Sequence, residues 1–219
     1  EAEFASLWTS AKDAAAASPE HQLALARLAS QWNLLEEAEP LWKEVAQRST
    51  ARREALDALY KIYRASNDLP NLRLTAQRLH DTSPEEAGLT ANAARFALLL
   101  DRNTAEGRAL AQRAYKKAPN DPSVAVTYAF SLYGSGRTAE GLEVLQKLSP
   151  EQLHDPHGAV YAALLFDDEN QIDAANQYLA IARAGPLFPE EKQLLQEITA
   201  RRQSVAPSPN EPSPSPSPR

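Results

Sequence analysis

The sequence predicts an all-α chain, a solenoid made by stacking antiparallel helix pairs. Three observations predict it. Thr104-Ala105-Glu106-Gly107 recurs letter for letter as Thr138-Ala139-Glu140-Gly141, and Asp121-Pro122 with Ala125-Val126 returns as Asp155-Pro156 with Ala159-Val160, both 34 residues on. A fixed period of roughly 20–50 residues marks one repeated supersecondary unit. Alanine and leucine dominate while glycine is scarce and β-branched residues are thinly spread, a mixture that favours helix over sheet. Most of the 16 prolines fall in the tail or between helical stretches, where proline ends one helix or occupies the first turn of the next.

The period sets the elements in order. Residues 1–18 form a lone second helix, a half-repeat with Phe4, Leu7, Trp8 and Ala11 in an amphipathic stripe. Five units follow at 19–52, 53–87, 88–121, 122–155 and 156–188, each a helix, a short turn and a helix. The fifteenth position of the units reads Asn33, Asn67, Arg102, Gly136 and Asn170. Asparagine and glycine accept the left-handed conformation that closes a helix; in the third unit Asn103 follows and can serve. Two residues later Leu35, Leu69, Thr104, Thr138 and Ile172 open the second helices.

Those second helices carry a stripe at spacings of four and then three: Ala38-Trp42-Val45, Leu72-Ala76-Leu79, Gly107-Ala111-Ala114, Gly141-Leu145-Leu148 and Ala175-Leu179-Ala182. Residues at these offsets share one face, and small ones let a neighbouring helix approach. A helix over 189–203 caps the array, with acids at Glu190 and Glu191 in its first turn. Leu194, Leu195 and Ile198 are expected inward, and Lys192, Glu197, Arg201 and Arg202 in water. From 204 to 219 the sequence alternates proline and serine with almost nothing to bury, so an extended, disordered tail is expected.

In this pattern the chain resembles the tetratricopeptide repeat (TPR) family. Small residues stand at the family's eighth position (Ala26, Ala129, Ala163) and twentieth (Ala38, Gly107, Gly141, Ala175). Aromatics stand at the eleventh (Tyr63, Phe166) and twenty-fourth (Trp42), and proline at the thirty-second (Pro84, Pro119). Tyr60 and Arg95 depart from the eighth position by size, and Leu72 from the twentieth. The resemblance implies a right-handed solenoid whose first helices line a concave face that binds a peptide or helix of a protein partner. Its binding positions fall on Asn92, Phe96, Leu99, Val126, Phe130, Tyr133, Val160 and Leu164 in units three to five, an apolar trough with a hydroxyl. In units one and two they fall on Arg27, Gln31, Asp57, Lys61 and Arg64, a polar and partly basic stretch. Phe96, Leu99 and Leu164 equally read as filler of the seam between adjacent first helices. The basic trio with which some repeats of this family grip chaperone C-termini is not reproduced.

Composition narrows the function. The net charge of −6 leaves no basic footprint of the kind nucleic-acid binding leaves, so no nucleic-acid partner is expected. No apolar run approaches the roughly 20 residues of a membrane-spanning helix. Cysteine is absent, which removes disulfides, thiolate metal sites and a cysteine nucleophile. His154, Asp155 and His157 cluster, but Asp155-Pro156 repeats Asp121-Pro122 in a unit without the histidines, so an inter-repeat loop is the simpler reading. Asp167-Asp168-Glu169 lacks the spaced oxygens of a calcium loop and reads as a solvated helix end. No enzyme, metal or cofactor is expected. The expected function is a non-enzymatic protein-protein interaction scaffold. The alternative is an accessory repeat domain of a larger enzyme or envelope protein, since the chain has no methionine and Glu1 reads as the start of a piece of a longer polypeptide.

Overall fold

The structure, a computed structural model, describes residues 2–48 and 50–205. Among the described residues there are twelve α-helices, one short 3-10 helix and no strand. In order they are α1 (Ala2–Ala15), α2 (Pro19–Gln31), α3 (Leu35–Arg48), α4 (Arg52–Ala65), α5 (Leu69–Thr82), α6 (Ala87–Leu100) and α7 (Ala105–Lys117). Then come α8 (Pro122–Tyr133), α9 (Thr138–Leu145), the 3-10 helix (Pro150–Leu153), α10 (Pro156–Asp168), α11 (Ile172–Arg183) and α12 (Pro189–Val205).

The repeated Asp-Pro is a helix start. Asp121 accepts hydrogen bonds from the amides of Ser123 and Val124, and Asp155 from that of Gly158, with Pro122 and Pro156 in the first helical turn. Ser18 and Asp68 do the same for α2 and α5. Each satisfies amide donors that a helix N-terminus otherwise leaves without partners. The stop signal repeats as well. Asn33, Asn67 and Asn170 have φ of 55°, 55° and 58°, and Gly136 has φ of 75°. The amide that follows each one returns to a carbonyl five residues back: Leu34 to Ala29, Asp68 to Tyr63, Arg137 to Leu132 and Gln171 to Phe166, at 2.8–2.9 Å. This hydrogen bond closes a helix on a left-handed residue. Asn103 does not take that role. It is not among the positive-φ residues; instead its amide donates to the Asp101 carboxylate at 3.0 Å, and the turn closes on the side chain.

The second-helix stripes are buried from Ala38 through Ala182, save that α9 stops at Leu145, short of Leu148, where a Ser149–Gln152 capping box starts the 3-10 helix. Among the first helices, α6 packs on α8 and α8 on α10, with Ala129 and Ala163 fully buried. No comparable packing joins α2 to α4 or α4 to α6. Tyr60 and Arg95, the two oversized residues, stand between α4 and α6. The Tyr60 ring lies 6.0 Å from that of Phe96, and the Arg95 guanidinium lies 4.8 Å over the same ring. Bulk at a position of closest approach keeps helices apart.

The capping helix α12 does more than close the end. It runs alongside α10 in the same direction, with His157 against Glu191 at one end and Asp167 against Arg202 at the other, and it reaches across to α6. Leu194, Leu195 and Ile198 are buried as expected. Glu197, Arg201 and Arg202 are not left in water: they pair with Arg102, Asp168 and Asp167 respectively. In the acidic run at the end of α10, Asp168 and Glu169 are exposed as a solvated helix end would have them, but Asp167 is not: it is 7% exposed between two arginines. Helix α12 continues through Val205; the rest of the expected proline-serine tail lies outside the described residues.

Candidate functional site

The first helices divide into a covered half and an open half. In the covered half Phe96, Val126, Phe130, Val160 and Leu164 are buried, while Asn92, Leu99 and Tyr133 are half-buried. Phe130 stacks on Tyr161 at 4.3 Å, and Phe96 meets Phe188, just before α12, edge-on at 6.0 Å. Tyr133 accepts a hydrogen bond from Arg201 at 3.1 Å. These eight residues offer no open trough, because α12 and its lead-in occupy the space in front of them. The arrangement is held by Glu191, fully buried at the start of α12. Its carboxylate accepts from the amide of Phe188 at 3.1 Å and the Tyr161 hydroxyl at 2.8 Å, with His157 Nδ1 at 2.6 Å. Burial, and then the neighbouring carboxylate, drive the Tyr161 hydroxyl well above its ordinary range, so it remains a donor.

The open half lies where α2 and α4 stand apart. A groove of about 1030 Å³ runs between them over α3. Its floor is apolar, made by Leu35, Trp42, Ala58 and Ile62, and its rim is charged, with Arg27, Arg53, Glu54, Asp57 and Lys61. Trp42 is nearly buried and its indole N–H donates to the Ser30 hydroxyl at 2.8 Å. Arg27 grips Glu54 with two hydrogen bonds of 2.7 Å, which hold that carboxyl below its usual range. Of the thirteen residues at the expected binding positions, Arg27, Gln31, Asp57 and Lys61 line this groove, and Arg64 lines a smaller hollow beside it. Trp42, Ser30, Arg53 and Glu54 were not anticipated. No signal in the sequence pointed to this opening: the oversized residues Tyr60 and Arg95 stand between α4 and α6, against Phe96, and line neither hollow.

No protein-family model matches the chain, and no curated protein matches it. Solved structures do. A thermophilic TPR protein of Thermus thermophilus, TTC0263, superposes with a TM-score of 0.52 at 14% identity, covering 85% of this chain and all of that one. The fold is of the tetratricopeptide type. A second structure, a MamA RS-1 ArsTM double mutant, gives a TM-score of 0.53 at 13% identity over 82% of this chain and 95% of that one. Within this tetratricopeptide-type array, His154, Asp155 and His157 do not converge: Asp155 caps α10 while His157 turns to Glu191. Among the described residues no three or more His, Cys, Asp or Glu come together as a metal ion would need. No helix among them is long and apolar enough to cross a membrane.

Proposed function

We propose that this chain is a non-enzymatic scaffold that captures a segment of a protein partner in the open half of its row of first helices, between α2 and α4. The observation that carries this reading is the groove itself: an apolar floor under a charged rim, in a size range suited to a few side chains of a peptide or amphipathic helix. The tetratricopeptide-type fold supports a partner that is protein. The lining supports binding over catalysis, because the Ser30 hydroxyl takes the Trp42 indole N–H and, among the described residues, has no basic side chain hydrogen-bonded to it.

The test is a peptide selection against the full chain, followed by amide chemical-shift mapping of the enriched peptides. Shifts should concentrate at Ser30, Asn33, Ala58 and Ile62 and leave Phe130 and Val160 in place. Peptides that map instead to α5 and α7, on the other side of the helix pairs, would refute the reading.

A further inference from the structure

Helix α1 carries an uncovered apolar flank. Trp8 is buried and its indole N–H donates to Glu37 on α3 at 2.6 Å, while Lys12 pairs with the same carboxylate at 3.2 Å. These contacts turn one face of α1 inward. Phe4, Leu7, Ala11 and Ala14 follow at spacings of three, four and three, so they share the adjoining flank. Its first half protrudes: Phe4 is 44% and Leu7 65% exposed. Its second half is recessed. There Ala11, Ala14 and Ala15 line an open hollow of about 290 Å³ with His21, Ala24, Leu25 and Leu28 of α2. This hollow shares no lining residue with the groove between α2 and α4.

We infer that this flank is an interface between two copies of the chain, formed by antiparallel packing of α1 on α1 about a two-fold axis through the midpoint of the helix. A two-fold interface needs a patch complementary to itself. Here the protruding and recessed halves lie on one helix, on opposite sides of its midpoint. A half-turn about that point sets Leu7 against Ala11 and Phe4 against Ala14 of the other copy. Large then faces small at every level, the alternation that lets side chains interdigitate. The sizes agree as well, since an apolar cavity of about 150 Å³ already takes a benzene ring.

The polar groups fit the same arrangement. Glu3 has no cation within ion-pair distance among the described residues. Next to Phe4, it is carried to His21 at the mouth of the other copy's hollow, a carboxylate acceptor against a ring N–H donor. Glu20 beside His21 already accepts from the Ser18 hydroxyl at 2.7 Å. Lys12 and Asp13 stand off the flank, so α1 brings no like charges together across the axis. Two helices bury little surface, which makes this a weak dimer populated at high concentration.

The test is sedimentation of the full chain over a concentration series. At about 100 μM, enough to populate even a weak dimer, monomer and dimer should coexist. Leu7→Glu and, separately, Ala14→Glu should each weaken association at least about tenfold. Both residues are exposed, so the melting midpoint should stay in place. Leu74→Glu, at a leucine 53% exposed on α5, should leave association unchanged. Because the chain has no cysteine, one introduced thiol reports the geometry. A short bis-maleimide should join two copies of Ser10→Cys, close to the axis, and should not join two copies of Asp13→Cys, on the far side of α1. A chain that stays monomeric at that concentration, a species larger than a dimer, or association that survives both glutamate variants overturns the inference. So does equal loss in the Leu74 variant, or cross-linking that is equal at the two thiol positions.

Discussion

Arg102 and Glu197 lie 95 residues apart in sequence and meet through two parallel hydrogen bonds of 2.9 and 2.8 Å. This pair joins the turn after α6 to the middle of α12 and so spans three repeats. In a solenoid each unit ordinarily touches only its neighbours, and stability is a sum of local terms. Contacts from α12 back to α6, α8 and α10 add long-range terms and couple the last three units into one block.

The coupling should be measurable at Arg102 and Glu197 themselves. A two-pronged guanidinium–carboxylate pair has good geometry, but both side chains are about a third exposed, at 38% and 31%. The pair should therefore contribute on the order of 0.5–1 kcal/mol. A double-mutant cycle with Arg102→Ala and Glu197→Ala, read by urea denaturation, checks it. An interaction energy near zero would mean α12 is held by its apolar face alone.

That apolar face should weigh more. Ile198 is fully buried with Leu194 and Leu195 beside it, so Ile198→Ala should cost about 2–5 kcal/mol. Because α12 covers Phe96 and Tyr133, the variant should also bind a hydrophobic dye more strongly near its melting midpoint. Loss of stability confined to the α12 amides in hydrogen exchange, with α6 and α8 unaffected, would show that the block is not coupled.

The periodic part of this architecture was legible in the sequence because its signals are local. Asn33, Asn67, Gly136 and Asn170 end helices through their own backbone conformation, and Asp121 and Asp155 start them through their own side chains. The path of α12 was not legible, since it depends on pairs such as Arg201 with Asp168 that only the fold brings together. The same cause hid the site. Phe96 and Phe130 have the composition of a trough, yet whether such a row is open depends on what lies in front of it. Arg27 and Lys61 were legible as exposed cations on first helices, whereas the gap between α2 and α4 arises from how whole helices fail to pack.

Gly141 marks a tight contact among three helices. A Cβ there would stand 2.6 Å from Leu165 Cδ2 and 3.0 Å from the Ala129 carbonyl oxygen, so α9 lies directly against both α8 and α10. Gly141→Leu should overpack this contact and cost about 1–3 kcal/mol or more. Gly88→Leu is the comparison, since nothing lies within 4 Å of its added Cβ. Thermal melts of the two variants should separate clearly; equal midpoints would show that α9 can shift freely.

His80 should make stability sensitive to mild acid. It is 5% exposed, Arg113 donates to its Nε2, and its Nδ1 lies 3.1 Å from the Thr90 hydroxyl, which itself donates to the Glu86 carbonyl. That chain requires a neutral ring with its proton on Nδ1, because a proton on Nε2 would face the guanidinium. Burial first, and then Arg113, lower the His80 pKa from its ordinary 6.5. The unfolded chain therefore binds a proton just below about pH 6.5 that the folded chain refuses, and stability falls as pH drops through that point. Glutamine at this position can accept from Arg113 through its oxygen and does not titrate. Between pH 7 and pH 5 the melting midpoint of the natural chain should fall more steeply than that of His80→Gln. Parallel pH profiles for the two proteins would place the acid sensitivity elsewhere.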